Sequence, residues 1–107
     1  MKKDKKERLE RAGWRVGSTR DFLELSEAEH AVIEVRVMLA QTLKKHRLQR
    51  HMSQAALAKE LGSSQSRVAK MEAGDPSVSL DLLFRSLFAL GSTTAQVGKA
   101  IAKTHAA

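Results

Sequence analysis

SQAALAKELGSSQSRVAKMEAG, residues 53–74, is the stretch on which the fold turns. Ser53 stands where an N-cap is wanted, so that its hydroxyl can accept from a free amide of the first helical turn. Gly62 follows the apolar run and Gly74 follows the next one. Glycine at those places lets the backbone enter the left-handed conformation that closes a helix. Ser63 or Ser64 opens the second segment. Two short helices joined by a tight turn at Leu61-Gly62-Ser63 make a helix-turn-helix. Ala58 is small where the helices cross, and Leu57, Leu61, Val68 and Met71 can close the core between them. What remains outward on the second helix is polar: Gln65, Ser66, Arg67 and Lys70. An α-helix fits the major groove of B-DNA, where such side chains reach base edges and phosphates.

The same punctuation continues on both sides. Pro76 sits in an Asp-Pro-Ser break. Ser79 then opens a helix that Gly91 closes, with Leu80, Leu83, Phe84, Leu87 and Leu90 on one stripe. A weaker helix spans about Thr93–Ala102, anchored by Val97 and Ile101, with Gly98 against it. Upstream, Ser26 and Glu29 read as a capping box for a long helix to about Arg50. Its apolar residues are Ala28, Val32, Val35, Leu39 and Leu43, with Ile33, Val37 and Ala40 alongside. So wide an apolar arc predicts burial on more than one side. Met38 and Met71 read as core. Before Ser26, Ser18 with Asp21 could cap a short helical turn through Leu25. Trp14, Val16, Phe22, Leu23 and Leu25 are too apolar for a free tail; they either pack on the long helix or dock on another protein. The spacing predicts an all-α fold of five main helices with a short N-terminal extension.

Composition narrows the function. The 107 residues suit one domain. The absence of cysteine excludes disulfides, Cys-ligated zinc, iron–sulfur clusters and thiol nucleophiles, and fits a cytoplasmic setting. The longest uncharged run, Ser86–Gly98, is too short to span a membrane, and MKKDKKERLE leads into no apolar stretch, unlike a signal peptide. His30, His46, His51 and His105 are scattered. His46 and His51 stand about 140° apart around a helix, so they share no metal-facing side. No phosphate loop or strand is evident. These features argue against an enzyme, a cofactor, a metal or a small-molecule substrate.

Nineteen Lys and Arg against twelve Asp and Glu give a formal charge of +7, which points to an anionic partner. The charge is unevenly placed. Residues 1–20 carry +5, residues 21–43 carry −4, and KKHRLQRH at 44–51 holds Lys44, Lys45, Arg47 and Arg50 with no acid. Residues 52–98 sum to zero. Cations are favoured at a helix C-terminus, but four exceed what capping needs. They are candidates for flanking phosphate contacts.

Residues 53–91 resemble the helix-turn-helix of the Cro/C1 (XRE) family. The pattern appears as Gln54, Ala58–Gly62, Ser64-Gln65-Ser66 and Glu72-Ala73-Gly74, and SLDLLFRSLFALG matches the family's fourth helix. That resemblance implies phosphate contacts from Gln54 and Ser64 at helix N-termini. It sets Gln65, Ser66 and Lys70 against bases, and Arg67 against backbone or a base. GWRVGSTRDFLELS together with GSSQSRVAKMEAGDPSVSLDLL is also similar to antitoxins of the HigA type. This wider resemblance covers residues 13–102. It implies that the chain neutralises a RelE/HigB-like ribonuclease toxin and represses its own promoter. The N-terminus departs from what such a role needs. Residues 1–11 are basic, as toxins of this class usually are, so the acidic, apolar stretch Asp21–Glu34 with Trp14 and Phe22 is the better toxin contact.

The expected organisation is a basic tail over 1–12, an extension over 13–26 with Trp14, Phe22, Leu23 and Leu25 as toxin-binding candidates, and the DNA-binding domain over 27–103. One such unit covers little DNA, so a homodimer on a palindromic operator is expected, its half-sites about one turn apart. The last helix, with Ala95, Val97 and Ile101, and the outer face of the long helix compete as the dimer surface. A repressor without a toxin and a protein–protein adaptor on the same fold are the other readings.

Overall fold

The computed structural model describes residues 19–103, with side chains from residue 26 onward. Five helices follow in order: α1 Thr19–Gln49, α2 Gln54–Leu61, α3 Gln65–Glu72, α4 Leu80–Ala89 and α5 Thr94–Ala102. Among the described residues there is no strand. This is an all-α fold of Cro/C1 helix-turn-helix type. The described residues divide into two compact units, one ending at Val32 and one beginning at Ile33.

In the first unit the described part is helix. No break occurs at Ser26, because α1 runs through it. The capping box and the separate short turn expected there do not form. Nothing between Thr19 and Gln49 is a glycine or proline, so the backbone ladder continues past a residue that could have capped it. Ser26 Oγ has no hydrogen-bond partner among the described residues.

The second unit holds the core. Leu39 and Leu43 of α1, Leu57 of α2, Val68 and Met71 of α3, and Leu83 and Leu87 of α4 are fully buried. Ala58, Val78 and Val97 complete the cluster, with Val35, Leu61, Leu80, Phe84, Leu90 and Ile101 packed at its edge. Burying each large aliphatic side chain contributes roughly 1.5–3 kcal/mol. On α1 this burial is narrower than the wide apolar arc implied. Val32, Ile33 and Val37 stay 43–51% exposed. Within the 33–107 unit, the covered residues of α1 are Leu39, Ala40, Leu43 and Arg47, which recur every three or four positions as one helical face does.

The helix ends follow the serine and glycine pattern. Ser53, Ser64, Ser79 and Thr93 cap α2 to α5, each accepting from the amide three residues on. The Thr93 cap is reciprocal, since Gln96 Oε1 accepts from the Thr93 amide. At Gly62, with φ 66°, the amides of Gly62 and Ser63 donate to the carbonyls of Lys59 and Ala58. That paired closure is the Schellman arrangement. It recurs at Gly74 and Gly91, and once without glycine. His51 takes φ 56°, and the amides of His51 and Met52 donate to Leu48 and Arg47.

Candidate nucleic-acid interface

α2 and α3 position the site. Leu57 and Ala58 on one helix and Val68 and Met71 on the other face inward, which fixes the crossing and turns the rest of α3 out. Gln65, Ser66, Arg67 and Lys70 are all exposed. Ser64 is exposed as well, but its Oγ already accepts from the Arg67 amide. Ser64, Ser66, Arg67 and Lys70 line a shallow depression together with Ser77 and Val78. Five of these six side chains are polar, and the two charged ones are cations. The surface therefore suits an anion flanked by hydrogen-bonding groups.

The loop after α3 forms the far wall. Asp75 Oδ1 accepts from the Ser77 amide at 2.8 Å. This hydrogen bond holds the Asp75 carboxyl below the usual carboxylate range, and the charges of Lys70 and Arg36 act in the same direction. Val78 is a buried plug, and Arg36 of α1 donates to its carbonyl. Ser77 and Arg36 were not among the residues expected from sequence. Asp-Pro-Ser announced a turn, but not that the turn would border α3, and nothing local ties Arg36 to a carbonyl 42 positions away.

The basic cluster at 44–51 does not act as one patch. Arg47, expected at phosphate, is buried at 8% exposure. Its Nε and Nη2 donate to Glu72 at 2.6 and 3.0 Å, and its Nη1 donates to the Met52 carbonyl at 2.8 Å. The hydrogen bond to Glu72 raises the guanidinium pKa; burial works against it, and the charge of Glu72 adds to it. A guanidinium so enclosed is not offered to DNA, because its donors are spent inside the fold. Gln54, half-buried, donates to Glu72 Oε1 at 3.2 Å, the oxygen that also accepts from Arg47 Nη2. Glu72 thus joins the end of α3 to α1 and to the start of α2. Arg50 is exposed and reaches Glu60 at 3.4 Å. Lys44 is exposed. Lys45 stands beside α5. Trp14 and the side chains of Phe22, Leu23 and Leu25 lie outside the described residues, as do the proposed 1–12 tail and most of the 13–26 extension.

A family model described as Helix-turn-helix matches residues 43–97, just over half of the chain and all of α2, α3 and α4. The chain belongs to the helix-turn-helix family. Within it the chain is of the XRE type, a class of DNA-binding transcription regulators. No match was found among curated proteins or among solved structures. The family assignment agrees with the geometry: in helix-turn-helix proteins the second helix of the motif enters the major groove, and that helix here is α3. Among the described residues no group of histidines and carboxylates could hold a metal ion, and no helix is long and apolar enough to cross a membrane.

Proposed function

We propose that the protein is a transcriptional repressor that reads an operator through α3 as a homodimer, and that it is the antitoxin of a type II toxin–antitoxin module. The exposed polar face of a capped, well-anchored α3 carries the first part of this reading. Gln65, Ser66 and Lys70 are assigned to bases. Ser64, Gln54 and Arg67 are assigned to phosphates, with Lys44 and Arg50 at the flank. A glutamine can pair with adenine through two hydrogen bonds and a lysine with guanine acceptors, each worth about 1–3 kcal/mol of discrimination. Replacing Gln65 and Lys70 together by alanine should abolish preference for the promoter of the protein's own gene in filter binding. Thermal unfolding should stay unchanged, because both side chains are exposed. Retained preference, or a collapse in stability, would overturn the assignment.

The antitoxin reading rests on the resemblance to HigA-type antitoxins and on charge. The −4 stretch over residues 21–43, with Phe22 in it and Trp14 ahead of it, suits a basic RelE/HigB-like ribonuclease. In this reading Trp14, Phe22, Leu23 and Leu25 bind the toxin, and DNA is held elsewhere. Co-expression with such a toxin encoded in the adjacent reading frame should restore growth, and the two should co-purify. Trp14→Ala and Phe22→Ala should weaken that rescue while sparing promoter binding. Failure of rescue and of co-purification by the parent chain would leave a repressor without a toxin.

A further inference from the structure

We propose that the hollow between α1 and α5 is a second anion site, built for a small phosphate-bearing molecule and usable while α3 holds DNA. Three lysines line it, Lys45 of α1, Lys99 of α5 and Lys103 just past the end of α5. His46 and Gln96 line the same hollow and continue it toward Arg50. Among the described residues none of the lining groups is a carboxylate, and none of the three lysines has an ion pair. Arg50 is not counted, because Glu60 faces it.

Like charges gathered in one concavity repel, and an anion between them removes that cost. The neighbouring polar groups favour donation as well. Gln96 Oε1 is already taken by the Thr93 amide at 2.9 Å, which leaves its side-chain N–H groups. His46 Nδ1 is engaged with Ser92 Oγ at 2.8 Å, which orients the ring. Met38 supplies an apolar flank. The volume, about 320 Å3, lies at the small end for ligand pockets and suits a phosphate group with a modest attachment rather than a polymer.

Position separates this hollow from the DNA face. Arg36, Ala40 and Arg47 mark the side of α1 toward α3 and its loop, through Val78, Gly74 and Glu72. At about 100° per residue, Met38 and Lys45 lie roughly 140–180° around α1 from those three. DNA seated on α3 would leave the hollow open.

Inorganic phosphate is the probe. The full chain would be titrated with it at constant ionic strength, with chloride as control, and followed by amide NMR. Saturable shifts at residues 38–46 and 96–103 are expected, separate from any at residues 64–70, where the cations of α3 also attract an anion. Lys99→Gln with Lys103→Gln should raise the dissociation constant about tenfold while the circular dichroism spectrum and DNA binding stay unchanged. Lys45→Gln, on the other helix, gives a second reading if that pair unfolds. A short DNA duplex of arbitrary sequence should instead move amides of residues 64–70. Shifts that never saturate, that chloride reproduces, or that survive all three substitutions would overturn the proposal. So would a duplex that moves residues 96–103, since the hollow would then be a seat for DNA backbone.

Discussion

His51 is the residue where local chemistry and fold disagree. It closes α1 in the left-handed region, where three other closures of this chain use glycine. Such a conformation costs a residue with a Cβ about 1–2 kcal/mol, partly offset in glycine by the greater freedom of the unfolded chain. His51→Gly should therefore stabilise the protein by about 0.5–1 kcal/mol, visible as a higher urea midpoint at unchanged slope. Asp75 gives a pH-dependent counterpart. Its carboxyl is held below its ordinary range by the Ser77 amide. The stability it contributes is thus complete above the unfolded value and is lost as pH falls through the lower folded value. Asp75→Ala should be less stable than the parent at neutral pH, and the two urea midpoints should converge once the pH has fallen below the lowered folded value. A gap that persisted there would mean that the charge of Asp75 is not what stabilises the loop.

At the scale of elements, the Glu72 carboxylate determines how three helices meet. It accepts from Arg47 of α1 and from Gln54 at the start of α2, while sitting at the end of α3. The side chains of Arg47 and Glu72 are only 9% and 3% exposed, so solvent screens the pair little. Removing one partner leaves a buried charge alone. Glu72→Ala should cost about 3–5 kcal/mol, whereas Arg47→Met combined with Glu72→Leu should recover most of it, as read from chemical unfolding. If the double variant were as unstable as the single one, the pair would be contributing more than charge balance. The same pair shows how much of the site was legible beforehand. The outward face of α3 followed from spacing, since Val68 and Met71 had to turn inward. Arg47 did not, because a basic run looks alike whether its members face water or a carboxylate 25 positions on.

For the whole molecule, the charge distribution assigns separate tasks. Residues 52–98, which contain α3, sum to zero, so preference among sequences rests on a few placed side chains. In the proposed reading, attraction to DNA in general rests on cations such as Arg67 and Lys44. Binding should weaken with salt along a log–log slope of about −0.9 per phosphate neutralised. Arg67→Ala should reduce that slope by about one phosphate's worth. Arg47→Met, combined with Glu72→Leu, should leave it unchanged, because Arg47 is enclosed. A slope altered by the Arg47 change would return that residue to the DNA contact surface.

The sequence by itself determined the helix ends at Gly62, Gly74 and Gly91, the caps at Ser53 and Ser79, a cap at Ser63 or Ser64, and the polar face of α3. Each of these is set within one or two turns of backbone, where the side chain acts on amides and carbonyls close by. Only the tertiary structure decided that Ser26 does not interrupt α1, that Ser77 borders α3, and that the cations of residues 44–51 go separate ways. Arg47 turns into Glu72, Arg50 toward Glu60, and Lys45 lines the hollow between α1 and α5. What a long charged side chain meets depends on which helix packs beside its own, and that is settled by burial of Leu39, Leu43, Val68 and Met71 rather than by the charges themselves.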